Sequence, residues 1–232
     1  MLTIRRAADR GRTHTGWLDS RHTFAFGDYY DPHFLGYRSL RVINDDRVAA
    51  GAGFGMHPHR DMEILTWVLS GALQHRDSLG SGSTIRPGDL QRMTAGTGIR
   101  HSEINPSETD PVHFLQVWIM PEKVGLQPSY EQKNFPADQR RGKLLPIAGP
   151  NGDGGAVTVR QDVNVFAALL EAGESVSYEL PAGRHAWIHI ATGAVSVNGQ
   201  SLAAGDGASC SDAGSLQITA NGPAEVLLFD LK

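Results

Sequence analysis

The sequence predicts an all-β protein built from two halves. Short runs of β-branched and aromatic residues, bounded by Gly, Pro, Asn or Asp, recur along the whole chain, and amphipathic helical patterns are almost absent. The 27 glycines and 12 prolines are scattered, as expected for many short strands joined by tight turns. Because closed or sandwiched barrels protect the edges of such strands, we predict two β-barrels.

The predicted strands fall into two series. Residues 1–130 contain runs such as SLRVINDD, MEILTWVLSG and VHFLQVWIM, and residues 151–232 contain GAVTVRQD, VFAALLEAG and HAWIHIATG. Residues 131–150 are charged and include Pro136, so we predict a linker there. The second series has hairpin signals at Asn198-Gly199 and Asn221-Gly222.

Composition excludes several classes of function. The formal net charge of -4 gives no basic footprint for a phosphate backbone, so we expect no direct nucleic-acid binding. The single cysteine, Cys210, rules out an intrachain disulfide and favours a reducing compartment. With neither a signal-peptide pattern nor an apolar run of about 18 residues, we expect a cytoplasmic protein without a membrane segment. We also expect a monomer.

Two histidine-containing segments carry the chemistry. In GFGMHPHRD, His57 and His59 are two residues apart, a spacing that puts both imidazoles on one face of a strand and on opposite sides of a helix. Pro58 between them suits an edge strand. About forty residues later, GIRHSEIN repeats the spacing with His101 and Glu103, and adjacent strands of a barrel can bring both pairs to one point.

Three imidazoles and one carboxylate form a mixed nitrogen and oxygen ligand set. Such a set suits Fe(II), Mn, Co, Ni, Cu or Zn and does not suit Ca or Mg. Four protein ligands leave coordination positions open for a substrate, which indicates a catalytic rather than a structural site. We therefore predict one divalent transition metal per chain, held by His57, His59, His101 and Glu103, and the ligand set leaves the identity of the metal open.

The sequence supports other residues less strongly as members of the metal site. Glu63 has the strand parity of His57 and His59, so it is a candidate second-shell partner or a structural residue. Met56 and Phe24 are candidates for the wall of a pocket, although core packing is the default for apolar residues. His75 and His113 lack a paired partner in the sequence, and we expect each to make one ordinary hydrogen bond.

The two segments resemble the paired motifs of the cupin superfamily, with Gly51, His57, His59, Glu63 and Gly71 in the first. The second motif runs from Gly88 through His101 to Asn105. A Glu63-to-Gly71 spacing one residue longer than usual, Thr94 in place of Pro and the extra carboxylate of HSEIN are similar to the pirin family in particular. WLDSRHTFAFGDYYDP and MTAGTGIRHSEINP carry the same resemblance.

The pirin resemblance implies a bicupin whose N-terminal barrel binds one metal and whose C-terminal barrel has lost its ligands. It also implies a quercetin 2,3-dioxygenase, which opens the flavonol ring with O₂ and releases CO, with Glu103 accepting the proton of the 3-hydroxyl. Mammalian pirin is regarded instead as a transcriptional co-regulator, so a metal-dependent regulatory protein that binds a protein partner is the alternative. A sugar-binding or isomerase cupin is the third, and it predicts a pocket lined by Arg and Lys.

Overall fold

A computed structural model describes all residues, 1–232, and the chain is almost entirely β-structure. Strands make up 56% of the residues and helices 4%, which confirms the all-β prediction. One short α-helix and two single 3₁₀ turns, Ala7–Asp9 and Asp153–Gly155, are the helical elements. The structure contains no helix with the length and apolarity needed to cross a membrane.

The elements follow one another in chain order. The first twelve strands are β1 (Thr3–Arg5), β2 (Gly11–His14), β3 (Leu18–His22), β4 (Leu40–Val48), β5 (Gly53–His59), β6 (Glu63–Ser70), β7 (Leu73–Asp77), β8 (Gly82–Ile85), β9 (Asp89–Thr94), β10 (Ile99–Ile104), β11 (Val112–Ile119) and β12 (Ser129–Asn134). After them come α1 (Ala137–Arg140), β13 (Leu145–Gly149), β14 (Val157–Thr158), β15 (Val163–Leu170), β16 (Ser175–Leu180), β17 (His185–Thr192), β18 (Ala194–Val197), β19 (Gln200–Ala203), β20 (Gly207–Cys210), β21 (Gly214–Ala220) and β22 (Ala224–Leu231).

Contacts divide the chain into two compact units. The N-terminal unit comprises Gly11–Asn134 and Val157–Gln161, and the C-terminal unit comprises Met1–Arg10, Phe135–Ala156 and Asp162–Lys232. The first strand of the chain thus belongs to the C-terminal unit, where β1 pairs with β20. The segment 131–150, for which we predicted a linker, contains α1 and β13 as well as most of β12.

The N-terminal unit has two antiparallel sheets. One sheet has the order β12-β9-β6-β11-β4-β3-β2, and the other has the order β5-β10-β7-β8. Apolar side chains from both sheets fill one end of the space between them; this core includes Val48, Val68, Leu73, Ile85 and Phe114. Alternation along β4, β6 and β11 buries Val48, Val68 and Phe114 on the inner face of the larger sheet.

A buried polar row crosses the larger sheet of the N-terminal unit. The register places His22 opposite Asn44, Asn44 opposite Gln116, and Gln116 opposite Thr66. Hydrogen bonds link the row, because His22 Nδ1 lies 2.8 Å from Asn44 Oδ1 and Thr66 Oγ1 donates to Gln116 Oε1 at 2.8 Å. These hydrogen bonds give the buried polar groups of the row the partners that burial requires.

The C-terminal unit repeats the two-sheet arrangement. Its sheets have the orders β1-β20-β17-β22-β15-β13 and β16-β21-β18-β19, and one large apolar core lies between them. The predicted Asn198-Gly199 hairpin is confirmed, since both residues have positive φ between the paired strands β18 and β19. The Asn221-Gly222 hairpin is wrong, because the strands it joins, β21 and β22, lie in different sheets.

Candidate metal centre

The two histidine segments form neighbouring strands. His57 and His59 lie on β5, and His101 lies on β10, which pairs with β5 in antiparallel register so that His101 is opposite His57. A β-bulge interrupts this register between His101 and Glu103. Because side chains two apart on a strand share a face, the imidazoles of β5 point toward the ring of His101. The predicted strand conformation of both motifs is confirmed.

Three imidazoles converge on one point. The ring centroids of His57, His59 and His101 are 4.5 to 4.8 Å apart in every pair. One nitrogen from each ring belongs to a set of atoms that all lie within 4.8 Å of one another. The arrangement supports a divalent metal, because a small cation can contact all three nitrogens at once.

The chemistry of the rings fits a metal ion. His101 is fully buried, and its Nε2 has no hydrogen-bond partner, so a buried lone pair lacks any other role. The Nδ1 of His57 lies 2.7 Å from the carbonyl oxygen of Gly55, to which it donates, and Nε2 is left free to bind. Burial and neighbouring imidazoles lower the pKa of His59 to about 4 and that of His101 to about 2. His59 and His101 are therefore neutral, as metal ligation requires.

Glu103 lies in an overlapping cluster. Its carboxylate groups with His101 and His75, within the same 4.8 Å limit, so His101 belongs to both sets. Oε2 accepts from Gln116 Nε2 at 2.7 Å, and Oε1 lies 3.2 Å from Thr66 Oγ1, whose single proton it shares with the closer Gln116 Oε1 at 2.8 Å. Burial raises the pKa of Glu103 to about 7 despite these two donors. The structure thus brings the three imidazoles together with Glu103 beside them, and the four-ligand set stays a prediction.

A cavity of about 300 Å³ opens beside these residues, within the N-terminal unit. Its apolar wall includes Phe26, Phe54, Trp118 and Leu18, while His57, His59 and Glu103 also line it. The remaining lining residues are polar: Thr13, Ser20, His22, Asn44, Asp46 and Gln116. This volume is at the lower end of the range for small-molecule sites, and the combination of an aromatic wall with polar groups that can orient a ligand is typical of them.

The three residues proposed as pocket or second-shell partners lie elsewhere. Glu63 is on β6, and its Oε2 accepts from the backbone N–H of Arg160 at 3.0 Å. Parity with His57 and His59 does not carry over to it because a turn containing Asp61, with φ of 49°, separates β5 from β6. Met56 is 49% exposed on β5 and Phe24 is 2% exposed; neither lines the cavity.

From the sequence we expected one ordinary hydrogen bond for His75 and did not single out Asp77. Both lie on β7, which pairs with β10 so that His75 is opposite Glu103 and Asp77 is opposite His101. Their two-residue spacing repeats that of the two predicted motifs, and this signal in LQHRD was available in the sequence. His113 behaves as predicted, with its Nε2 2.6 Å from Asp45 Oδ1.

Gly53 allows β5 to approach β10 closely. A Cβ at this position would lie 2.2 Å from the carbonyl oxygen of Glu103, whereas a Cβ on Gly55 of the same strand would meet nothing within 4 Å. We expect Gly53→Ala to destabilise the protein by about 1–3 kcal/mol, because the strands must separate at the bulge. It should also weaken metal binding.

Urea unfolding and chelator competition measure the two effects, with Gly55→Ala as the matched control. Equal stability and equal metal affinity in the two variants would show that the close approach at Gly53 is unimportant.

Comparison with known proteins adds the family context. A family model described as Pirin matches residues 4–119, and one described as a quercetinase C-terminal cupin domain matches residues 146–231. The chain is 47% identical over 231 residues to a protein of Escherichia coli named quercetin 2,3-dioxygenase, covering 100% of this chain and 99% of that protein. It is 44% identical over 216 residues to a pirin-like protein of Caulobacter vibrioides, covering 93% of each.

Solved structures show the same fold. The crystal structure of YhhW from Escherichia coli matches with a TM-score of 0.96 and 46% identity, covering 100% of this chain and 98% of that one. A structure of the bacterial pirin YhhW in complex with nickel(II) matches with a TM-score of 0.94 and 45% identity, covering 100% and 99%. The prediction of two cupin-type barrels is confirmed.

Proposed function

The chain belongs to the pirin family, and from that membership and its cluster of imidazoles we propose a metal-dependent dioxygenase. The proposed reaction opens the flavonol ring of quercetin-like substrates with O₂ and releases CO. One observation supports the proposal most strongly: three imidazoles converge at an aromatic-walled cavity, and one of them has a buried nitrogen without a hydrogen-bond partner.

The cavity favours a flat aromatic ligand over a sugar. A sugar-binding or isomerase site was predicted to be lined by Arg and Lys, and neither residue type lines this cavity. Phe26 and Trp118 pack edge to face with ring centroids 5.4 Å apart, and Trp118 also contacts the ring of His59 at 5.0 Å. These rings would hold a planar substrate beside the imidazoles and exclude water from it.

The residues have distinct proposed roles. His57, His59 and His101 would hold the metal, with Glu103 as a further ligand or close neighbour. When bound, the ion supplies Lewis-acid and redox chemistry toward the substrate hydroxyl and O₂. Glu103 would accept the proton of the flavonol 3-hydroxyl on a carboxylate oxygen, since its side chain lies beside the imidazole cluster and lines the cavity. Thr66 and Gln116 would orient the carboxylate through their hydrogen bonds.

The identity of the ion is part of the proposal. We propose Fe²⁺, with Zn, Cu, Co, Ni or Mn as alternatives, because mixed imidazole and carboxylate sets accept all of them. The bacterial pirin YhhW has been crystallised with nickel(II), so elemental analysis here requires protein purified without an affinity nickel column.

Metal-loaded protein is expected to consume O₂ and quercetin together, and removal of the metal with a chelator should abolish both. An oxygen electrode combined with quercetin absorbance measures this, and re-addition of single metals to the stripped protein identifies the active ion. Denatured protein loaded with the same ion controls for catalysis by free metal. Metal-loaded protein that leaves quercetin unchanged in air would contradict the dioxygenase and favour the regulatory alternative.

A further inference from the structure

His101 has a buried partner on each side of its ring. Its Nε2 is buried without a hydrogen-bond partner, while its Nδ1 lies 3.4 Å from Nδ1 of His75. The other nitrogen of His75, Nε2, lies 3.0 Å from Oδ2 of Asp77. The side chains of His75 and Asp77 are both fully buried. A continuous chain of three side chains therefore runs from the imidazole cluster into the protein.

Asp77 is held firmly at the end of this chain. Its Oδ1 accepts two backbone N–H groups of the following turn, from Leu79 at 2.9 Å and from Ser81 at 3.0 Å. Its Oδ2 is thus left to face His75. Because a carboxylate oxygen accepts hydrogen bonds, we assign the His75 proton to Nε2. The ring of His75 also stacks on Tyr130, with centroids 4.8 Å apart, which fixes its plane.

The direction of these hydrogen bonds fixes the tautomer of His101. A neutral His75 with its proton on Nε2 offers a lone pair at Nδ1, so Nδ1 of His101 must be the donor. The single proton of a neutral His101 is then on Nδ1, and its Nε2 carries a lone pair. We propose that His75 and Asp77 are positioning residues which hold His101 in the metal-binding tautomer, rather than ligands themselves. This inference deepens the proposed function and rests on its metal site.

The partners of the two His75 ring nitrogens also indicate that His75 is not a metal ligand. Both of its ring nitrogens already face a partner, Asp77 on one side and His101 on the other. In metal sites, a carboxylate commonly accepts a hydrogen bond from the nitrogen of a ligating imidazole that does not bind the metal. Removal of such a carboxylate lowers metal affinity by about 10–100-fold. Here the carboxylate acts through one intervening imidazole.

Asp77→Asn is the sharpest test. An Asn amide can accept the two backbone N–H groups through its oxygen, so its NH₂ must face His75 Nε2 and reverses every hydrogen bond in the chain. His101 would then carry its proton on Nε2, where the metal binds. We expect Zn²⁺ affinity, measured by chelator competition, to fall about 10–100-fold. His75→Phe, which keeps a ring against Tyr130 but removes the relay, should cause a loss of the same order.

Nitrogen NMR of ¹⁵N-histidine-labelled protein reads the tautomers directly. In metal-free wild type we expect the proton of His101 on Nδ1 and that of His75 on Nε2, and Zn²⁺ should shift His101 Nε2 while His75 keeps its protonated Nε2 and uncoordinated Nδ1. Tyr130→Phe is the matched control: it removes the hydroxyl that contacts Ser83 and Gln132 and keeps the ring. Its Zn²⁺ affinity should equal that of wild type even if its melting temperature falls.

The proposal is overturned if wild-type His101 carries its proton on Nε2, or if Zn²⁺ coordinates His75. It is also overturned if Asp77→Asn and His75→Phe, folded by circular dichroism, bind Zn²⁺ as tightly as wild type. The wild-type spectrum decides the question even where a variant fails to fold. No quercetin is used, so a protein that binds Zn²⁺ as described but leaves quercetin unchanged would contradict only the proposed function.

Discussion

Glu103→Gln is expected to keep the metal and to lower quercetin turnover about a hundredfold or more, because an amide cannot accept the substrate proton. The three imidazoles of the cluster are untouched by this change, and a Gln side chain fills nearly the same buried volume. Metal content by elemental analysis and O₂ uptake on the same sample measure the two outcomes separately.

Thr66→Val is the matched control for this prediction. It removes the hydroxyl that Glu103 Oε1 and Gln116 Oε1 share, while leaving the carboxylate and the hydrogen bond from Gln116 Nε2 in place. We expect turnover to fall no more than about tenfold, the effect of one hydrogen bond. Full activity in Glu103→Gln would show that another group accepts the proton, and loss of metal would show that the carboxylate is needed for metal binding.

Asp46→Asn is expected to stabilise the protein, and more so as the pH rises. Asp46 is buried on the cavity wall, its Oδ1 has no partner, and burial raises its pKa from 3.8 to about 7. At any pH above 3.8, the Asp46 carboxylate must therefore either take up a proton on folding or be buried with its negative charge. The resulting cost begins near pH 3.8, grows with pH and is complete above the folded pKa near 7.

Urea unfolding at two pH values measures this cost. We expect the gain from Asp46→Asn to be about 4 kcal/mol at pH 8 and about half of that at pH 5. The neighbouring Asp45→Asn should have the opposite sign, with a loss of about 1–3 kcal/mol, because Asp45 accepts from His113 and Arg47. A gain from Asp46→Asn that does not depend on pH would show that charge burial is not its cause.

Local sequence pattern was sufficient to predict the strands and the imidazole cluster. The two-residue spacing of His57 and His59 has one meaning on a strand and another on a helix, and Pro58 made the helix improbable. The same rule applied to His101 and Glu103. The structure pairs these two strands directly, with His101 opposite His57. The imidazole cluster could therefore be predicted from the local spacing and the assumption that the two strands are neighbours.

The same parity rule failed for Glu63, which was counted from His59 across a turn. Strand parity holds only while the chain stays extended, and Asp61 has a left-handed φ of 49° between the two residues. Likewise, Asn221-Gly222 has hairpin composition, but β21 and β22 pair with other strands. A turn motif encodes a local bend, and the sheet that each flanking strand joins is decided by distant partners.

The sequence by itself determined the all-β class, the two strand series and the residue types able to bind a transition metal, because these depend on periods of two residues and on ligand chemistry. Only the tertiary structure decided that β7 lies against β10, and so made His75 and Asp77 neighbours of His101. It likewise decided that β1 joins β20, some two hundred residues away in the chain. Contacts of this kind arise from packing that optimises burial over the whole unit, and no local spacing encodes them.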